Sequence, residues 1–105
     1  MNEHYEDLLA LAILSTKTHA NAYSLCSGLS RKFNIINCSA IINRIETKGY
    51  VNVTYQESEQ LKSFTLTSTG KSLLIQEKLG LSEILKSNFP EEFDFIDLLV
   101  GNVSK

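Results

Sequence analysis

A chain of 105 residues with 43% hydrophobic content suits one compact domain and is too short for two ordinary ones. It holds no apolar run near the roughly 18 to 20 residues that cross a bilayer, and its start, MNEHYEDLL, carries acids where a secretory leader carries lysine or arginine; a soluble cytoplasmic protein without membrane contact is expected. The net charge of −2 excludes a surface that attracts nucleic acid all over, but residues 1–80 carry eight Lys or Arg against seven Asp or Glu, and residues 81–105 carry two against five.

Residues 5–15, YEDLLALAILS, are rich in good helix formers and apolar on a wide face, which predicts a largely buried first helix. Asn21, or alternatively Ser24, suits the N-cap of a second helix that runs to about Phe33, with Tyr23, Leu25, Cys26, Leu29 and Phe33 apolar. Gly28 lowers the helix propensity there and suggests close approach by a neighbouring helix. After a short turn, NIIN, Asn37 is the natural N-cap of a third helix over residues 38–48. Cys38, Ile41, Ile42 and Ile45 form its apolar stripe, while Ala40, Asn43, Arg44 and Thr47, spaced i, i+3, i+4, i+7, form one outward face.

Gly49 suits the left-handed position past a helix end. The rhythm then changes to period two. Val51, Val53 and Tyr55 alternate with polar residues, QESEQ reads as an exposed tip, and Phe64 and Leu66 face inward from LKSFTLT, which predicts a two-stranded hairpin. Thr67 or Ser68 begins a fourth helix through about Leu79, ended by Gly80. Pro90 begins a last helix closed by Gly101, with Phe89, Phe93, Ile96 and Val100 on one stripe and Phe95, Leu98 and Leu99 on another.

The fold expected is mainly α with a small β-hairpin: a winged helix-turn-helix over residues 1–80 followed by a C-terminal helical extension over 81–105. In such an arrangement the third helix enters the major groove of double-stranded DNA and the hairpin reaches the adjacent backbone.

The segment SAIINRIETKGYV resembles the recognition-helix region of the PadR and MarR groups of bacterial regulators, whose pattern is an aliphatic residue, two polar residues with arginine second, another aliphatic residue, an acid, and then glycine before an aromatic or aliphatic pair. Here those positions are Ile42, Asn43, Arg44, Ile45, Glu46, Gly49, Tyr50 and Val51. FTLTSTGKSLL, residues 64–74, is similar to the second wing strand and following helix of the same groups, and the resemblance spans about residues 8–79. It implies a homodimeric, DNA-binding transcriptional regulator with an extra pairing helix. Two features depart from those groups: the wing tip carries Glu57 and Glu59 against Lys62, and the tail is shorter than a full PadR dimerisation region.

Asn43 and Arg44 are the candidate base readers, because asparagine pairs with adenine and arginine with guanine through two hydrogen bonds each. Ser39, Ala40 and Thr47 are small enough to let the helix settle deep, and Asn37 stands at its entrance. Arg31, Lys32, Arg44 and Lys48 against Glu46 give a local charge of +3 that suits phosphates, with Lys62 on the wing side. The same residues also fit an ordinary solvated face, with Arg44 paired to Glu46 or to the wing and with Arg31 and Lys32 answering the negative end of their own helix.

Phe89, Phe93, Ile96, Leu99 and Val100 offer more apolar surface than one packing partner covers, which suggests a homodimer or, alternatively, packing onto the first helix. Cys26 and Cys38 read as small buried hydrophobes, and Tyr5, Tyr23, Tyr50 and Tyr55 as aromatics at the core edge. With no phosphate-cradling glycine loop, nucleophile elbow or metal-ligand spacing, neither an enzyme nor a cofactor or metal is expected. The alternative function is a winged helix used for protein contact, since a fold does not settle a function.

Overall fold

The structure is a computed structural model that describes residues 2–16, 20–55 and 62–92. The elements are α1 (Glu3–Ser15), β1 (Ala20–Asn21), α2 (Ala22–Phe33), α3 (Cys38–Thr47), β2 (Val51–Tyr55), β3 (Lys62–Leu66) and α4 (Ser68–Asn88), followed by a 3-10 turn, Pro90–Glu92. The protein is mainly helical, with a small three-stranded antiparallel sheet in the order β1-β3-β2.

Helix α1 is the centre of the molecule. Asn2 caps it by accepting a hydrogen bond from the Tyr5 amide, and every residue from Asp7 to Leu14 is buried. A helix apolar on all sides needs cover on all sides. That cover comes from α2, α3, α4 and β3. In α2, Asn21 accepts a 2.8 Å hydrogen bond from the Ser24 amide, and Leu25, Leu29 and Phe33 face inward. Asn34 ends the helix in the left-handed region, at φ 55°, and lets the Ile35 amide turn back onto the Leu29 carbonyl. Tyr23 and Tyr55 stand out in solvent rather than at the core edge, whereas Tyr5 and Tyr50 do pack against it.

The joint between α3 and β2 depends on Gly49, whose φ of 74° is strained for any residue with a side chain. Its amide closes on the Glu46 carbonyl while the Tyr50 amide closes on Ile45. Thr67 fastens this turn to the start of α4: its amide donates to the Tyr50 carbonyl at 3.1 Å, its hydroxyl donates to the Gly49 carbonyl at 2.8 Å, and the same oxygen accepts from the Gly70 amide at 3.1 Å. Gly70 lies so near the Tyr50 carbonyl that a side chain would collide with it.

Four further expectations require correction. The hairpin gains a third strand, in which Ala20 pairs with Phe64 and Asn21 with Ser63 on the side of β3 opposite β2. Helix α4 does not stop at Gly80, because Leu81 and Leu85 continue the buried stripe begun by Leu74 and no positive φ occurs there, so the boundary expected after residue 80 lies inside one helix. Gly28 permits no unusually close approach: a Cβ there would meet Ile13 at 3.8 Å, an ordinary contact. Cys26 and Cys38 are not separate apolar side chains but a disulfide that joins α2 to α3, with their Cα atoms 5.5 Å apart.

After α4, the Phe89 ring meets Phe33 edge-on at 5.1 Å between centroids. The remaining dimerisation candidates, Phe93, Ile96, Leu99 and Val100, together with the wing-tip acids Glu57 and Glu59, lie outside the described residues. Among the described residues no helix is long and apolar enough to cross a membrane.

Candidate functional site

Helix α3 is held by its isoleucines. Ile41 and Ile45 are fully buried, Cys38 nearly so, and Ile42 packs at the margin of the core. The opposite side, Ser39, Ala40, Asn43 and Thr47, is exposed. The Thr47 hydroxyl donates to the Asn43 carbonyl at 2.7 Å, which keeps that side chain close to the helix and leaves the face low and uncharged.

Arg44 does not join that face. At about 100° per residue it stands about 40° round the helix from Ala40, on the edge towards α1 that it shares with Asn37 and Lys48. Across from this edge the first turns of α1 present Glu3, Glu6 and Asp7, themselves spaced i, i+3, i+4. The Arg44 Nε donates to Asp7 Oδ1 at 2.9 Å and to Oδ2 at 3.1 Å. Nη2 lies 2.8 Å from Asp7 Oδ1 and 3.6 Å from Glu6 Oε1, and Nη1 lies 3.8 Å from Glu3 Oε2. Although buried, Nη2 makes no hydrogen bond, so its attraction to these carboxylates is Coulombic. The Arg44 pKa is raised, first by the hydrogen bond to Asp7 and then, against the cost of burial, by the charges of Asp7, Glu3 and Glu6.

The Asp7 side chain is only 4% exposed and that of Arg44 20%, so this pair is internal. Lys48 Nζ stands 3.7 Å from the same carboxylate. Asn37 occupies the N-cap position of α3 but makes no capping bond; its amide donates instead to Glu6 Oε1 at 3.3 Å. Three of the candidate contact residues, Asn37, Arg44 and Lys48, therefore bind α3 to α1.

On the other flank, Lys62 Nζ donates to Glu46 Oε1 at 3.0 Å and lies 5.9 Å from the Tyr55 ring centroid. The hydrogen bond to Glu46 is the main cause of the raised pKa of Lys62. Arg31 and Lys32 are exposed in the last turn of α2, and the turn that follows exposes Ile36, 85% accessible.

The candidate residues thus separate into a neutral exposed face on α3, two flanks where cations meet carboxylates, and a basic helix end on α2. Sequence reasoning missed Asp7, Glu6 and Glu3 as partners of Arg44. The available signal was Asp7 itself, an acid bordering an otherwise unbroken apolar run and therefore in need of a cation once buried. Comparison with protein-family models, curated proteins and solved structures gives no match for this chain.

Proposed function

We propose that the chain is a winged helix-turn-helix module that binds double-stranded DNA as a homodimeric transcriptional regulator. The observation that carries this reading is the exposed, uncharged side of α3, formed by Ser39, Ala40, Asn43 and Thr47 and unobstructed by the described elements. The order helix, strand, two helices, two strands, helix also suits a winged helix. In this reading Asn43 makes the base contact, its amide offering a donor and an acceptor to adenine. Arg44 has a different task from that expected of it: it fixes the angle of α3 through Asp7. Arg31, Lys32 and Lys48 meet phosphates, Lys48 exchanging its 3.7 Å contact with Asp7 for a phosphate oxygen.

A labelled random-sequence duplex titrated at low salt tests the proposal. If three cations act in each protomer, about six phosphates are neutralised and log affinity against log salt falls with a slope near −5. Asn43→Asp, which sets a carboxylate in the middle of the face, abolishes measurable binding. A slope close to zero overturns the reading.

The second reading, a protein-contact module, is favoured by the engagement of Arg44, Lys48 and Lys62 with carboxylates, which leaves the α3 surroundings close to neutral. It predicts no salt-dependent affinity for any duplex. Self-association is measured separately by sedimentation, where a monomer at tens of micromolar removes the dimer from either reading.

A further inference from the structure

The cystine between α2 and α3 joins two unequal sulfur positions. Cys26 is partly exposed in the middle of α2, at the margin of the core between Ala22 and Leu29 on its inner side and the exposed Tyr23 and Ser30 on its outer side. Cys38 is 8% exposed and is the first residue of α3. At that position the backbone N–H groups of the first helical turn have no intrahelical acceptors and the positive end of the helix dipole favours an anion. Asn37, the residue that would normally satisfy them, has its side chain turned to Glu6.

From this asymmetry we propose that the Cys26–Cys38 bond is a thiol–disulfide exchange site, attacked by a small thiol at Cys26 and opened with Cys38 as the leaving group. A thiolate RS⁻ bonds to the Cys26 sulfur; the sulfur–sulfur bond breaks and its electron pair departs on the Cys38 sulfur, where the start of α3 stabilises the thiolate. A second RS⁻ attacks the external sulfur of the mixed disulfide. It forms RSSR and releases Cys26 as a thiolate, so two thiols supply the two electrons and the protons redistribute between the two protein sulfurs and water. Attack in the opposite sense would require entry at the buried sulfur and departure of a thiolate from mid-helix, where no helix end favours it.

Opening removes the only covalent link between α2 and α3 other than the main chain through residues 34–37. The start of α3 is then retained by Ile35 and Ile41 in the core and by the Asn37–Glu6 hydrogen bond. The site is therefore a redox control on the setting of α3, whatever its exposed face binds.

The oxidised full chain is treated with reduced glutathione, quenched in acid, and its free thiols are alkylated before peptide mapping. The expected product carries glutathione on Cys26 and the alkyl group on Cys38, in about tenfold excess over the reverse arrangement. Equal adducts, an excess on Cys38, or a bond that resists thiol until denaturant is added would overturn the proposal, as would failure of the two cysteines to form an intramolecular bond on mild oxidation. Amide hydrogen exchange across residues 35–40 accelerates on reduction while that of α4 does not change; protection identical in the two redox states overturns the claim of control over α3.

Discussion

Asp7 and Arg44, 37 positions apart, join the first turns of α1 to the last turn of α3 through two hydrogen bonds from one guanidinium nitrogen. Because the carboxylate is buried, removing either partner leaves a charge compensated only at longer range, Asp7 by Lys48 at 3.7 Å or Arg44 by Glu6 at 3.6 Å. Asp7→Ala and Arg44→Ala are each expected to lower unfolding free energy by about 3 kcal/mol, and the double variant by much less than the sum. Urea denaturation of the four proteins gives the coupling. If Arg44→Ala retains wild-type stability but loses duplex affinity, the pair is not a tether and Arg44 returns to the role of base reader.

Thr67 presents a second, neutral fastening. Thr67→Val keeps the shape but removes the hydroxyl that caps α4 and holds the Gly49 carbonyl. A loss of about 1 to 2 kcal/mol is expected in the same denaturation assay. Thr67→Ser, which keeps the hydroxyl, should recover most of it.

Gly28 and Gly70 respond in opposite directions to the same change. At Gly28 an added methyl meets only Ile13 at ordinary contact distance, so Gly28→Ala raises stability by up to about 1 kcal/mol through helix propensity. At Gly70 the methyl would be driven into the Tyr50 carbonyl, and Gly70→Ala lowers the melting temperature by separating α4 from the turn after α3.

The Lys62–Glu46 pair has a pH signature. Lys62 titrates above the ordinary lysine value of 10.5 because Glu46 holds its charged form. A raised pKa means that the pair's contribution to stability is fully present below that ordinary value and disappears as pH rises through the higher, folded-state value. Carbon-13 NMR of the Lys62 side chain reports the midpoint, which should fall back towards 10.5 in Glu46→Gln. The pair is partly solvated, so its effect on global stability is small.

The elements with a clear period were legible in the sequence. The wide apolar face of α1, the isoleucine stripe of α3 and the alternation through Val51, Val53, Phe64 and Leu66 each state a structure locally. The two-residue strand β1 has no period to read, and only pairing with β3 makes it a strand. Gly80 looked like a terminator because glycine often is one, but the leucine spacing on either side of it prevailed. The candidate site was legible in part. Exposure of Ser39, Ala40, Asn43 and Thr47 follows from helical spacing alone. The fate of Arg44 depends on a helix 37 residues away, and neither its partner nor the pairing of Cys26 with Cys38 is encoded in local pattern.

Glu3, in the first turn of α1, stands within 3.8 Å of Arg44 on α3, while Phe89, just past α4, rests on Phe33 at the end of α2. A purification tag or fluorescent protein fused ahead of α1 would start next to the Arg44 edge of α3 and screen it from a large ligand.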